Sequence, residues 1–134
     1  MEVLGRGKIV YGKDVDSLVF DWGTIKFLSE PLVTSAKHFS FGMVVLEPGK
    51  GHDTHSHPGV EEIIYVVSGE GEQTIDGHGP VKILPGASMH IPGDVLHSTL
   101  NTGWEPLRLI VVYAPPGAER GLREIPGCNV VPAK

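Results

Sequence analysis

Residues 49–69 read GKGHDTHSHPGVEEIIYVVSG, from Gly49 to Gly69, and this stretch decides the fold. His55 and His57 stand two apart, so on an extended chain both imidazoles point to the same side. Glu62 follows five residues after the second histidine. Two imidazoles on one face with a carboxylate nearby form a mixed nitrogen and oxygen set suited to a divalent transition metal. The apolar run from Ile63 to Val67 is rich in β-branched and aromatic residues and reads as a buried strand, with Gly69 opening a turn. A carboxylate at the head of such a strand needs a cation partner.

A second stretch, GASMHIPGDVLHSTLN from Gly86 to Asn101, supplies a further imidazole, His97, after a turn at Pro92-Gly93. In the first stretch a glycine is followed by five residues, His-x-His, four residues, Glu, six residues and Gly; in the second, Gly86, Pro92, His97 and Asn101 recur in fixed register. Glu61 meets a looser spacing, but only Glu62 leaves the six-residue gap to Gly69. Together the two stretches resemble the paired motifs of the cupin superfamily, over roughly residues 40–114. One departure is visible: a Pro-x-Gly turn is expected, and here the third position is Asp94, the glycine coming one place early. The resemblance implies an all-β fold, a double-stranded β-helix or small antiparallel jelly-roll barrel. It also implies metal ligands at His55, His57, Glu62 and His97.

The chain of 134 residues is long enough for one substantial core, and we expect a single domain over 1–134. Its barrel core would span about 38–114, with an N-terminal extension at 1–37 and a C-terminal tail at 115–134. Eighteen glycines and eleven prolines spread along the chain suit short strands and frequent turns rather than helices. A net charge of −5 gives no basic footprint for nucleic acid. No apolar run reaches membrane-span length and no signal-peptide pattern opens the chain, which makes the cytoplasm the expected location. The single Cys128 excludes an intrachain disulfide.

In chain order, Lys8–Tyr11 reads as a short strand, and Leu18–Leu28 as two strands about Trp22-Gly23. The resemblance implies that such an N-terminal segment pairs with a second subunit, so a homodimer is expected. Further strands are expected at Phe39–Leu46, Glu70–Asp76, Val81–Leu84, Ser88–Ile91, His97–Asn101 and Leu107–Tyr113, with Asp76-Gly77 as a hairpin turn. Only Ala118–Glu124 reads as helical.

Three imidazoles and a carboxylate leave one or two positions open on an octahedral ion; Mn, Fe or Ni fits best, and Zn or Cu is admitted. A substrate's oxygens, or dioxygen, would bind there, with the ion as Lewis acid and template. His90, two before Pro92, is the candidate general acid or base, its ordinary pKa lying near neutrality. Gln73 is either turned into the barrel near the metal or exposed, and Tyr65, Phe41 and Met43 are read as core or pocket wall; these four are the candidate substrate-binding residues. His52 and His78 are expected in solvent, and Asn101 fixes backbone. The resulting expectation is an enzyme of isomerase, lyase or dioxygenase type acting on an oxygen-rich small molecule such as a sugar, keto acid or enediol. The alternatives are a metal-assisted binding or sensing module without turnover, and a barrel whose ion is purely structural.

Overall fold

The computed structural model describes residues 1–133. In chain order the elements are β1 (Glu2–Leu4), β2 (Gly7–Ile9), a 3-10 turn (Gly12–Asp14), β3 (Ser17–Phe20), β4 (Gly23–Ser29) and α1 (Pro31–Thr34). There follow β5 (Ser40–Leu46), β6 (Glu61–Ser68), β7 (Gly71–Ile75), β8 (His78–Ile83) and β9 (Ser88–Ile91). The chain closes with β10 (His97–Asn101), β11 (Leu107–Ala114), α2 (Ala118–Arg123) and β12 (Asn129–Val131). No helix among the described residues is long and apolar enough to cross a membrane.

A seven-stranded antiparallel sheet runs β12-β3-β4-β5-β11-β6-β9, and a three-stranded one runs β10-β7-β8. The core lies between them: Val44, Leu46, Ile64, Val66, Leu109 and Val111 from the large sheet cluster with Ile83 from the small one. The fold is the all-β barrel expected from the strand and turn pattern. Strand alternation explains which side chains enter this core. On β5 the buried positions are Ser40, Gly42, Val44 and Leu46. On β6 they are Glu62, Ile64 and Val66, and on β11 Leu107, Leu109, Val111 and Tyr113.

The turn chemistry follows the sequence closely. Asp76 and Gly77 both take positive φ (53° and 75°) between the paired Ile75 and His78, the two-residue type I′ hairpin turn. Asp94 occupies the place of the missing glycine with φ 67°, one of the few residue types that visits the left-handed region readily. Its Oδ1 accepts a hydrogen bond from the Gly59 amide at 3.2 Å, which ties the turn to the loop before β6.

Two expectations about the termini are corrected. β3 and β4 find their partners within the chain: β4 pairs with β5 through six residue pairs and β3 pairs with β12. Residues 129–131 are therefore an edge strand rather than a tail laid over the surface. A short helix, α1, begins at Pro31, where proline's fixed φ suits the first helical position.

Candidate metal centre

The loop between β5 and β6 carries His55 and His57, and its backbone is fastened along β10. Gly49 N donates to Asn101 O, Asn101 N to Lys50 O, and His52 N to Thr99 O, at 2.9–3.2 Å. Further on, His55 and His97 exchange both backbone hydrogen bonds, at 3.0 and 2.9 Å. Directly paired residues on neighbouring strands point to the same side, so the His55 and His97 rings meet with centroids 4.3 Å apart. His57, two residues on from His55, shares that side, its ring 4.9 Å from that of His55. One ligand atom from each of His55, His57 and His97 lies within 4.8 Å of the others.

Glu62 enters from β6, where it pairs with Tyr113 on one side and Ile91 on the other. Its Oε1 stands 3.0 Å from His97 Nε2 and 3.5 Å from His57 Nε2. These approaches are short enough for an ion pair but are off the line of a hydrogen bond. Glu62 Oε1, His57 Nε2 and His97 Nε2 are all buried without a hydrogen-bonding partner. Buried polar atoms are costly when unpaired, and three that converge on one point fit a cation between them. The tautomers agree with this: His55 Nδ1 lies 2.8 Å from Asp53 O and His97 Nδ1 lies 3.0 Å from Val95 O. A ring whose Nδ1–H donates to a carbonyl leaves its Nε2 lone pair free for a metal.

Electrostatics favour the neutral ring at two of the three histidines. Burial pushes the His55 and His57 imidazoles below their ordinary pKa, so they are neutral. Burial also presses on His97, but the Glu62 carboxylate and the Val95 carbonyl outweigh it and raise that group. Tyr113 is held well above its usual pKa by burial, with Glu62 adding to the effect, and its ring lies 5.1 Å from that of His57.

These side chains form the polar end of a cavity of about 210 Å³. The rest of the wall is apolar and aromatic: Phe20, Trp22, Ile25, Ile64, Leu109 and Val111, with Leu122 and Ile125 from the α2 segment. Phe20 and Trp22 stack at 4.4 Å with ring planes 8° apart, and His52 abuts Trp22 edge-on at 4.2 Å.

Not every expected site residue is here. His90 is exposed on the outer face of β9, where its Nε2 meets Glu61 Oε2 at 2.5 Å; it faces away from the cavity and is withdrawn as the general base. Phe41, Met43 and Tyr65 alternate with the buried positions of β5 and β6 and also face outward, so they are not pocket wall. Gln73 is buried and turned inward, yet its Oε1 accepts from Thr99 Oγ1 at 2.5 Å. It therefore positions Thr99, which lines the cavity. Asn101 fixes backbone as expected, its Nδ2 donating to Leu46 O and Glu105 O and its Oδ1 accepting from Gly103 N.

His52, expected in solvent, instead lines the cavity. Burial, followed by the neighbouring imidazoles, pushes it down to about 3. No local pattern marks it: the edge-on contact with Trp22, thirty residues earlier in the chain, is a tertiary one.

A pH dependence follows for the metal-free protein. Groups with depressed folded pKa bind protons more readily when unfolded, so stability is full above pH 6.5 and falls as pH drops below it. His52 alone accounts for roughly 2 kcal/mol at pH 5, before carboxylates titrate. His55 and His57 act in the same direction; His97, being raised, opposes them. Urea unfolding of chelator-treated protein should show a lower midpoint at pH 5 than at pH 7.5, and an equal or higher midpoint would contradict this.

The profile of the cupin domain matches residues 42–113. Among curated proteins, the chain is similar to "Protein SchB" of Streptomyces halstedii, 33% identical over 82% of this chain and 79% of that protein. It is likewise similar to "Polyketide synthase CurC" of Streptomyces cyaneus, 30% identical over 82% of this chain and 71% of that one. Among solved structures, KdgF from Halomonas sp. superposes with a TM-score of 0.73 at 18% identity, covering 85% of this chain and 98% of KdgF, a likeness of fold.

Proposed function

The chain belongs to the cupin family, and we propose from that premise that its barrel is a metal-dependent enzyme for a planar, largely apolar molecule bearing ketone or enol oxygens. The observation that carries the reading is the division of the cavity into two ends. His55, His57, His97 and Glu62 gather at one, and the stacked Phe20–Trp22 pair and aliphatic side chains wall the other. A sugar would leave its hydroxyls unpaired against that wall, at about 1–3 kcal/mol for each buried and unbonded group. An unsaturated carbon skeleton gains by burial there and stacks on the indole. CurC bears the name of a polyketide synthase, and polyketides are carbon skeletons with ketone and enol oxygens.

His55, His57, His97 and Glu62 would hold one divalent ion; Mn, Fe or Ni suits their mixed donors. When bound, such an ion polarises a ligand's carbonyl oxygen and orients it. The chain's own groups complete the site. Tyr113 keeps its phenol proton at neutral pH and serves as hydrogen-bond donor beside His57. His52 stays neutral against Trp22 and offers a donor or acceptor at the cavity wall. The apolar wall excludes water from an enolate, which favours proton transfer between protein and ligand over exchange with solvent.

The test begins with elemental analysis of natively expressed protein. Binding of tropolone, a planar enolised ketone, is then compared with that of arabinose by fluorescence in a Trp104→Phe background, where Trp22 is the remaining tryptophan. Tropolone should quench Trp22 with the metal bound and fail to do so after chelation. Preference for the sugar, or binding indifferent to metal, would sink the proposal. Turnover of enolisable ketones without oxygen selects isomerase or lyase chemistry, and oxygen consumption selects a dioxygenase. Binding with no turnover selects the sensing module.

A further inference from the structure

A second cavity, of about 370 Å³, lies among the 3-10 turn, the end of β4, α1 and the end of α2, and it shares no lining residue with the cavity at the metal centre. Its apolar wall is Val15, Phe27, Leu32 and Val33, and its charged wall is Asp14, Asp16, Glu30 and Arg123. An apolar lining with a few placed charges is the usual make-up of a small-molecule site.

The charges around it do not balance. Asp14 Oδ2 lies 2.9 Å from the Met1 amino group, and Asp16 Oδ2 accepts from Arg123 Nη1 at 3.2 Å. Lys26 Nζ donates to the carbonyls of Gly12 and Val15, Lys8 Nζ donates to that of Val33, and exposed Arg120 does not line the cavity. Glu30 is the carboxylate left over. It is 2% exposed, and its Oε2 is buried with no hydrogen-bonding partner. A buried carboxylate without a donor is costly. Burial pushes the Glu30 carboxyl above its ordinary pKa, with Arg123 pulling against it. A cation bearing N–H donors would satisfy Oε2 and hold the group ionised.

We propose that this cavity binds a small organic cation, a primary ammonium on a short apolar body, with the ammonium on Glu30 and the body along Phe27, Leu32 and Val33. A metal ion fits less well. The guanidinium of Arg123 stands in the same wall, and among the described residues it is the three histidines that bring ligand atoms within 4.8 Å of one another. An ammonium carries three donors and no acceptor, so a single carboxylate can hold it. Its apolar body gains by burial against Phe27 and Leu32, which an inorganic cation would not.

The probe is butylammonium chloride, titrated into the full chain at pH 7.5 and followed by amide chemical shifts in NMR spectra, with 1-butanol and sodium butyrate as controls. Saturable shifts are expected at residues 14–16, 27–33 and 123, with a dissociation constant on the order of 1 mM for so small a ligand. Butanol, which has the shape without the charge, should bind at least about tenfold more weakly, and butyrate not at all. Glu30→Gln keeps the shape and removes the charge; it should weaken butylammonium at least about tenfold, the loss of a charge-assisted hydrogen bond. Leu32→Lys puts a cation at the rim, at a position 72% exposed with little packing to lose, and should weaken it by a similar factor. A chelator should leave the affinity unchanged, since the metal centre lies elsewhere. Absence of saturable shifts, equal binding of butanol or butyrate, binding that a chelator abolishes, or wild-type affinity in either folded variant overturns the proposal.

Discussion

Replacing His97 by alanine should empty the metal centre while leaving the barrel folded. The wild-type chain is expected to carry about one ion, and the variant less than about a tenth of one by elemental analysis. Losing a residue that merely supports a metal site costs 10–100-fold in affinity, and losing a ligand costs more. His97 is the sharpest choice because it is 2% exposed, its Nε2 has no protein hydrogen bond, and its backbone holds His55 in place whatever its side chain. The last point separates ligand loss from loop disorder, since alanine keeps both backbone bonds to His55. A second readout is thermal. An ion at 100 times its dissociation constant stabilises by about 2.7 kcal/mol, so a chelator should lower the wild-type Tm by several degrees and leave that of His97→Ala unmoved. Full occupancy in the variant would remove His97 from the ligand set.

The three histidines expected at one ion do come together, with Glu62 beside two of them, and local spacing explains why that much was legible. His55 and His57 share a face by strand periodicity alone. Glu62 and His97 sit at fixed distances from glycine turns, and Gly69 and the Asp76-Gly77 pair take the positive φ that such turns need. The facing of neighbouring residues was not legible. On β5 and β6 both faces are apolar, so alternation could not say whether Phe41 and Tyr65 or Gly42 and Ile64 turn inward. Gly42 turns inward because the Phe27 ring packs where its side chain would be, 2.9 Å from an ideal Cβ. That contact joins residues far apart in sequence, and no window of the chain reports it.

The same limit applied to His52 and His90. Each is a lone histidine near a turn, and the sequence treats them alike. The outcome turns on a cross-strand neighbour: Trp22 draws His52 to the cavity, while Glu61, on the outer face of β6, meets His90 outside. The titratable groups that line the cavity beside the ligand candidates thus come from the ends of elements, Tyr113 near the end of β11 and His52 in the loop after β5. Motif spacing marks the ligands of such a site and passes over its walls.

Gly51→Ala tests the link between fold and site, and its effect should be the larger part of the fold's stability. Gly51 bridges to Leu100 of β10, within the run of backbone bonds that carries His52, His55 and His57. A Cβ there would lie 2.2 Å from Thr99 O and 2.9 Å from Leu100 Cα. Both are backbone atoms of β10, which β7 holds from its other side, so neither can give way as a flexible side chain could. The loop must lift from β10, which strains or breaks the bonds at Lys50–Asn101 and His52–Thr99 and draws His55 away from His97. The expected cost is about 4 kcal/mol or more by urea unfolding, in the rare class of single substitutions. The accompanying fall in metal affinity should be at least tenfold, because ligand atoms must hold their positions to within a few tenths of an ångström. Gly59→Ala is the control. It lies in the same loop with φ 68° and nothing within 4 Å of its added Cβ, so it meets only the backbone penalty of about 1–2 kcal/mol. Equal effects of the two substitutions, or unchanged metal binding in Gly51→Ala, would show that the loop holds its ligands without its pairing to β10.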